Sequence, residues 1–307
     1  MDFDIVMNLI ITLLEQGFMY AVLAMGVYIT YSILDFPDLS VDGTLPLGAM
    51  VSSVLILQGV NPWLAGFAAF LCGAGAGGVT GLLHVRLKIR PLLCGILVMT
   101  ALISINLVIV MAGTDGGSVA YFYNSPTIFN SGPMALIPEK IGGFGLRTLL
   151  LSLVLAVVCK LLMDIYLKTK SGLLLRAAGS NEQYVVMLAR DPGTSKILGL
   201  ALGNGLAAFS GFIIAQSRGS ADLQMGTGMV VMGLASVIIG LTLLSKVRFM
   251  KATTMVIVGS LIYKACLTVA DALGMPSQYL KLLMAVLFTI ALVTGGLFGR
   301  KGGKTRA

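Results

Sequence analysis

From residue 91 to 112 the chain carries no charged side chain. An α-helix of that length rises about 30 Å, the thickness of a bilayer's hydrocarbon core, and satisfies its own backbone groups on the way. Comparable apolar segments fall at about 8–32, 43–58, 62–84, 146–167, 197–216, 229–245, 252–273 and 279–299. Only 11% of the 307 residues are charged and 57% are hydrophobic, whereas a soluble domain is roughly a quarter charged. The expected fold is therefore all-α: a polytopic helical membrane protein of about 8–9 transmembrane helices, forming a single transmembrane domain over 1–307.

Lysine and arginine set the orientation. Arg86, Lys88 and Arg90 crowd one short loop, and Lys168, Lys170, Arg176, Arg190 and Lys196 lie in the loop about 168–196. Lys246, Arg248 and Lys251 mark a third loop, and the basic tail 300–307 a fourth. With nine alternating spans all four fall on one side. The opposite side holds Lys140, Arg147, Arg218 and Lys281. The expectation is a C-terminus in the cytoplasm, an N-terminus outside, and an external loop at about 113–145. The N-terminus MDFDIVMN lacks a basic n-region and does not read as a cleaved signal peptide. The net charge of +8 suits loops beside anionic lipid rather than nucleic acid.

Catalytic chemistry is thin. Cys72, Cys94, Cys159 and Cys266 sit inside apolar runs without CxxC spacing, and His84 is the only histidine, so neither a disulfide framework nor a metal site is supported. Gly299–Thr305 resembles a phosphate-binding loop, but Phe298 stands where its first glycine belongs. No cofactor is expected in this chain, and no enzyme.

The longest charged interval between spans is Arg176–Lys196, RAAGSNEQYVVMLARDPGTSK. Ser180 with Gln183 three residues on is a capping-box pattern, and Asp191-Pro192-Gly193 stops the helix within about three turns. Tyr184, Met187 and Leu188 share one face, with Glu182 and Arg190 off it. A short capped helix that is apolar on one side suits docking to a partner, though a solvated loop has the same composition.

Three other stretches stand out. Residues 35–44, DFPDLSVDGT, place three carboxylates and a proline before a segment short for a crossing, which suggests a broken or re-entrant helix. Alternation puts this acidic loop on the basic side, a tension left standing. Gly73, Gly77 and Gly81 form a ladder for close helix contact, and small residues at 233, 235, 236 and 240 do the same later in the chain. Lys264 lies within the eighth segment, with Asp271 seven residues on. An intramembrane lysine costs roughly 3 kcal/mol unless it faces protein or water, or snorkels. The external loop carries Tyr121, Phe122, Tyr123 and Phe129, and a loop of that length suggests a binding role.

Ala178, Gly179, Asn181, Glu182 and Asp191-Pro192-Gly193, in that order, resemble the coupling loop of ABC-importer permeases of the branched-chain amino acid and simple-sugar group. Ser40–Thr44 followed by Pro46–Ala49, the 226–240 stretch, and Gly259–Lys281 are similar to a subgroup paired with a tryptophan-type binding protein. The resemblance implies a transmembrane permease subunit of a bacterial ABC importer in the cytoplasmic membrane, working as two copies, most simply a homodimer. Its implied partners are ABC ATPase subunits, which use the ATP and magnesium, and an extracytoplasmic substrate-binding protein, with membrane lipid around and no nucleic acid. It implies ATPase coupling through Gly179, Ser180, Asn181, Glu182, Tyr184, Met187, Leu188, Arg190 and Asp191. Candidate pathway residues are Ser40, Asp42, Thr44 and Lys264. The implied cargo is a small, amino-acid-like organic solute; an aromatic one is the expectation, which no residue derives. The rival reading is a stand-alone ion-coupled secondary transporter using the 35–44 break with Asp42 or Lys264.

Overall fold

A computed structural model describes residues 3–114, 116–131, 146–244, 247, 249–276, 279, 282–283, 285–290 and 293. The helices are α1 (Phe3–Val27), α2 (Val41–Leu57), α3 (Pro62–Val85), α4 (Pro91–Gly113), α5 (Leu146–Tyr166), α6 (Lys170–Ser180), α7 (Glu182–Met187), α8 (Pro192–Arg218), α9 (Met229–Leu243) and α10 (Ala252–Ala272). Two three-residue strands, β1 (Val119–Tyr121) and β2 (Ser220–Asp222), pair antiparallel. Among the described residues seven segments are long and apolar enough to cross a membrane, one of them Leu223–Leu243, which joins a 3-10 turn to α9, and α2 is a shorter apolar helix. Most of the expected span at 279–299, the basic tail and most of the external loop lie outside the described residues.

Among the seven long segments α8 is the most enclosed, with 67% of its most apolar window buried. The glycine ladder explains how α3 comes so close to it. A Cβ on Gly73 or Gly77 would run into Asn204, and one on Gly81 would lie 2.8 Å from the Ile197 Cα. Gly75 and Gly78, off that face, would meet nothing within 4 Å. Gly26 of α1 and Gly203 of α8 likewise pack backbone to backbone. Between α9 and α10 the same device recurs: Gly233, Ala235, Ser236 and Gly240 are buried, and Gly240 faces the Met255 carbonyl while Gly259 faces that of Ser236. Where lipid rather than protein covers a helix, association relies on such close packing.

α1 continues through a π-helical turn, Tyr28–Ile33, and ends where Asp35 takes a left-handed φ of 53°. Asp is one of the few residues that tolerates this. The chain then doubles back into the protein. At the start of α2, Gly43 packs on Met99 and Leu102, near the middle of α4, and Gly48 packs on Ala208 of α8. By its far end Val54 reaches Gly113, the last residue of α4. α2 thus begins at mid-depth, and the expected broken second segment is a shortened helix of 17 residues, half-length in the sense that it starts halfway along α4.

α9 is its counterpart. After α8 the chain turns through β2 and a 3-10 turn, Leu223–Gly226, where Gly226 packs on the Asp42 carbonyl and Pro46. α9 therefore also starts at mid-depth, beside the start of α2, and runs the opposite way. Each half of the molecule has a long helix, an irregular stretch, and a half-length helix whose N-terminus points inward.

One end of the bundle gathers the basic Arg86–Arg90 loop, α6, α7 and the start of α10. Contacts of Gly179 with Ile33 and Leu34, and of Gly193 with Val85, hold it together. Asp164 of α5 adds to this by accepting from Lys160, Lys251 and Thr253. The β1–β2 pair lies at the other end.

Candidate functional site: a capped surface helix and a mid-depth polar node

The helix expected after Ser180 is present but shorter and capped by a different residue. Ser180 is the last residue of α6, and its Oγ donates to the Ala177 carbonyl. Asn181 is the N-cap: its Oδ1 accepts the Gln183 and Tyr184 backbone N–H groups at 3.0 and 3.3 Å. With φ −159° Asn181 is extended, which separates α6 from α7, so both residues could not serve one helix. α6 itself was not anticipated. Its sequence signal is Thr169, whose Oγ1 accepts the Gly172 N–H, followed by Leu175 and Ala178 buried against the bundle.

α7 is six residues long and stops when Ala189 turns to φ 52°. Asp191 does not end it but starts α8. Its two oxygens accept Gly193 N, Thr194 N and the Thr194 hydroxyl. These bonds, the Gly193 N–H first, hold its carboxyl below the usual carboxylate range. Gly179 is wedged on Ile33, and Glu182 pairs with Lys196 of α8. Arg190 is exposed.

The apolar face of α7 points away from the protein. Val185 is fully buried and anchors the helix, while Tyr184, Met187 and Leu188 are 56%, 81% and 51% exposed. Burying side chains of this size is worth about 1.5–3 kcal/mol each, so the fold holds three of them in the open on a helix fixed at both ends.

The pathway candidates divide into two places. Ser40 and Thr44 meet at the start of α2 with two residues not singled out from sequence, Asp38 and Asn204. Asp38 accepts from Ser40 N (2.9 Å), Ser40 Oγ (2.6 Å) and Asn204 Nδ2 (2.6 Å). Asn204 Oδ1 accepts from Ser40 Oγ (3.1 Å) and Thr44 Oγ1 (2.9 Å). All four side chains are buried, and the three Asn204 bonds tie α8 to the segment that starts α2. Asp42 faces the other half-length helix. Its oxygens accept the Val230 and Gly228 N–H groups at 2.7 and 3.2 Å. A carboxylate at the start of each half-length helix matches the positive end of its dipole. This removes the charge tension noted above, because Asp38 and Asp42 lie inside the protein rather than in a loop. Asn204 had one visible cue: an amide between two glycines in an otherwise apolar segment.

Lys264 stands apart. It is 9% exposed, its Nζ lies 3.3 Å from Gln16 Oε1 and 4.1 Å from the centroid of the Tyr20 ring, both on α1. It therefore faces protein and does not snorkel. Asp271, on the same helix, is exposed. His84 binds the Ile89 carbonyl at 2.8 Å and meets Phe36 edge-on, a structural role closing the turn after α3.

Several of the chain's relatives are named as transport proteins. It is 42% identical over 291 residues to a tyrosine transport system permease protein of Clostridioides difficile, covering 95% of this chain and 92% of the relative. It is 31% identical to an uncharacterized protein of Rickettsia prowazekii, over 93% of this chain and 97% of that one. A ribose import permease protein of Haemophilus influenzae is 26% identical over 98% of this chain and 88% of its own length. No solved structure matches. Residues 9–292 match the family described as branched-chain amino acid transport system / permease component, and the chain belongs to this family of ABC-type permeases.

Proposed function

We propose that this chain is the membrane subunit of a bacterial ABC importer, that α7 couples it to a separate ATPase, and that its cargo is an amino-acid-like solute. One observation carries the coupling role: an apolar face held out by Tyr184, Met187 and Leu188 on a helix clamped by Asn181 at one end and leading to the Asp191 cap at the other. The ATPase's closing motion would reach the bundle through two joints, Gly179 on the end of α1 and the Glu182–Lys196 pair on α8. Those joints lie on the two long helices that precede the half-length ones.

In this reading the α6–α7 end faces the cytoplasm, as the loop lysines and arginines require, and the N-terminus lies outside. Two copies flank the pathway, and the buried node of Asp38, Ser40, Thr44 and Asn204 positions α2 beside it. An extracytoplasmic binding protein delivers the solute. The relative named for tyrosine transport supports an aromatic amino acid as cargo. A stand-alone ion-coupled carrier needs a carboxylate free to exchange an ion, yet Asp42 caps α9 and Asp38 is engaged on both oxygens.

The test is co-purification of the tagged chain with its genomic neighbours in mild detergent. An ATPase that co-purifies and is lost from Tyr184→Ala/Met187→Ala protein supports the reading. A chain that purifies alone and moves solute in liposomes without ATP overturns it.

A further inference from the structure

At the β1–β2 end a cavity of about 220 Å³ opens beside the C-terminus of α8. Three external-loop aromatics, Phe122, Tyr123 and Phe129, line it, and the α8 side contributes Gln216 and Arg218. The loop is stitched to the end of α8 and the turn after it by three sets of hydrogen bonds. β1 pairs with β2, Phe122 N–H donates to the Gly219 carbonyl at 2.9 Å, and Ile128 N–H donates to Gln216 Oε1 at 3.2 Å. Gly219 takes φ 68°, and a Cβ there would lie 2.6 Å from the Tyr123 ring, so the turn closes only with glycine. The cavity is thus built into the fold rather than left between mobile surfaces.

Its chemistry is one-sided. Among the described residues no acidic side chain lines it. Among the described residues no carboxylate pairs with Arg218. The Ile128 bond fixes which end of the Gln216 amide is oxygen, and among the described residues its buried Nε2 has no hydrogen-bond partner. Arg147 at the same end points to the Phe129 carbonyl and Asn130 Oδ1, so its charge is directed at the loop. An unpaired guanidinium and an orphan amide donor beside aromatic rings match a carboxylate attached to an apolar body. At about 220 Å³ the volume lies below the ~300 Å³ where drug-sized sites begin, which suits a solute of amino-acid size.

We propose that this cavity is an external binding site for the carboxylate of a small amino-acid-like solute, with Arg218 as its anchor and Gln216 as its second donor. The proposal rests on the importer reading for placing this end of the bundle outside. It goes further by giving the permease itself a solute contact before the pathway opens. The aromatic wall would favour aromatic or branched side chains over small polar ones.

The experiment is equilibrium binding of labelled L-tyrosine, L-tryptophan and L-leucine to the purified chain in nanodiscs. Saturable binding of at least one is expected, competed by the free amino acid and not by tyramine, which lacks the carboxylate. Arg218→Gln should weaken it by about tenfold or more, and Arg218→Lys by less, since an ammonium keeps the charge but loses the bidentate fork. Each variant is checked for a monodisperse profile and an unchanged melting point. Should Arg218→Gln fail that check, Asn130→Ala, which changes only the rim, takes its place with a weakening of a few fold expected. No saturable binding, or binding that the folded variant leaves unchanged, overturns the proposal. So does a loss confined to docking of the binding protein, which would assign Arg218 to a protein contact. ATP-driven uptake by the assembled complex is measured alongside. Intact uptake with no cavity binding refutes this site alone, whereas ATP-independent transport refutes the importer reading beneath it.

Discussion

Asp38 and Asn204 carry the most consequence per atom in this molecule. The pair joins α8 to the start of α2 with both Asp38 oxygens occupied. Replacing Asn204 with Leu leaves Asp38, Ser40 and Thr44 with fewer partners in a buried site. Each orphaned polar group costs about 1–3 kcal/mol, more where it is charged. Asn204→Leu should therefore lower the melting temperature in detergent and abolish uptake, while Asn204→Asp should not restore it, because the donor to Asp38 is gone. A melting point equal to wild type would show that the node holds nothing. Lys264 poses a separate question. Lys264→Ala should reduce uptake or assembly clearly, whereas removing the exposed Asp271 should not; equal effects would deny Lys264 a special role. Asp191 titrates in a defined direction. Its carboxyl is held low in the folded chain, so its support of the α8 start is complete above the ordinary carboxylate range, neutral pH included. That support fades only as pH falls through the lowered value. These residues differ in legibility. Lys264 stands out as a charge within a span, but Asn204 is a common residue whose importance depends on a partner 166 positions away in sequence.

At the scale of elements, sequence pattern identified the long helices because each needs only local information: length, apolarity and a stop. The glycine ladder was legible for the same reason, and it makes a sharp internal control. Gly77→Leu puts a side chain into the Leu200 backbone and should give aggregated or absent protein, whereas a Cβ on Gly75 of the same helix meets nothing within 4 Å and Gly75→Leu should be tolerated. Fluorescence-detected size exclusion separates the two, and equal profiles would remove close α3–α8 packing from the account. The segment 176–196 was legible as a capped helix, but not which residue capped it. Both Ser180 and Asn181 are good N-caps by type, and only the end of α6 at Ser180 decides between them. Asn181→Ala should cost about 1 kcal/mol of local helix stability. It should lower transport more than it lowers the yield of folded chain. The half-length character of α2 and α9 was harder to read, since mid-depth placement depends on contacts with α4 and α8 rather than on local composition.

Across the whole molecule, two long helices lead into two short ones whose N-termini meet at mid-depth. Each start carries a carboxylate, Asp38 at α2 and Asp42 at α9. The surface helix α7 pairs with the start of α8 through Glu182–Lys196, and α6, which leads into it, packs Gly179 on the end of α1, so a push on α7 bears directly on α8 and through α6 on α1. That link from a surface helix to a mid-depth junction is the central claim. The most direct test is ATP-driven uptake and ATP hydrolysis measured together in proteoliposomes holding this chain, its ATPase and its binding protein, with and without Glu182→Gln/Tyr184→Ala. The account predicts that the variant assembles in the membrane, loses most uptake, and no longer raises hydrolysis when the loaded binding protein is added. Uptake and stimulation equal to wild type in a folded variant would contradict it, and would move the coupling site away from α7.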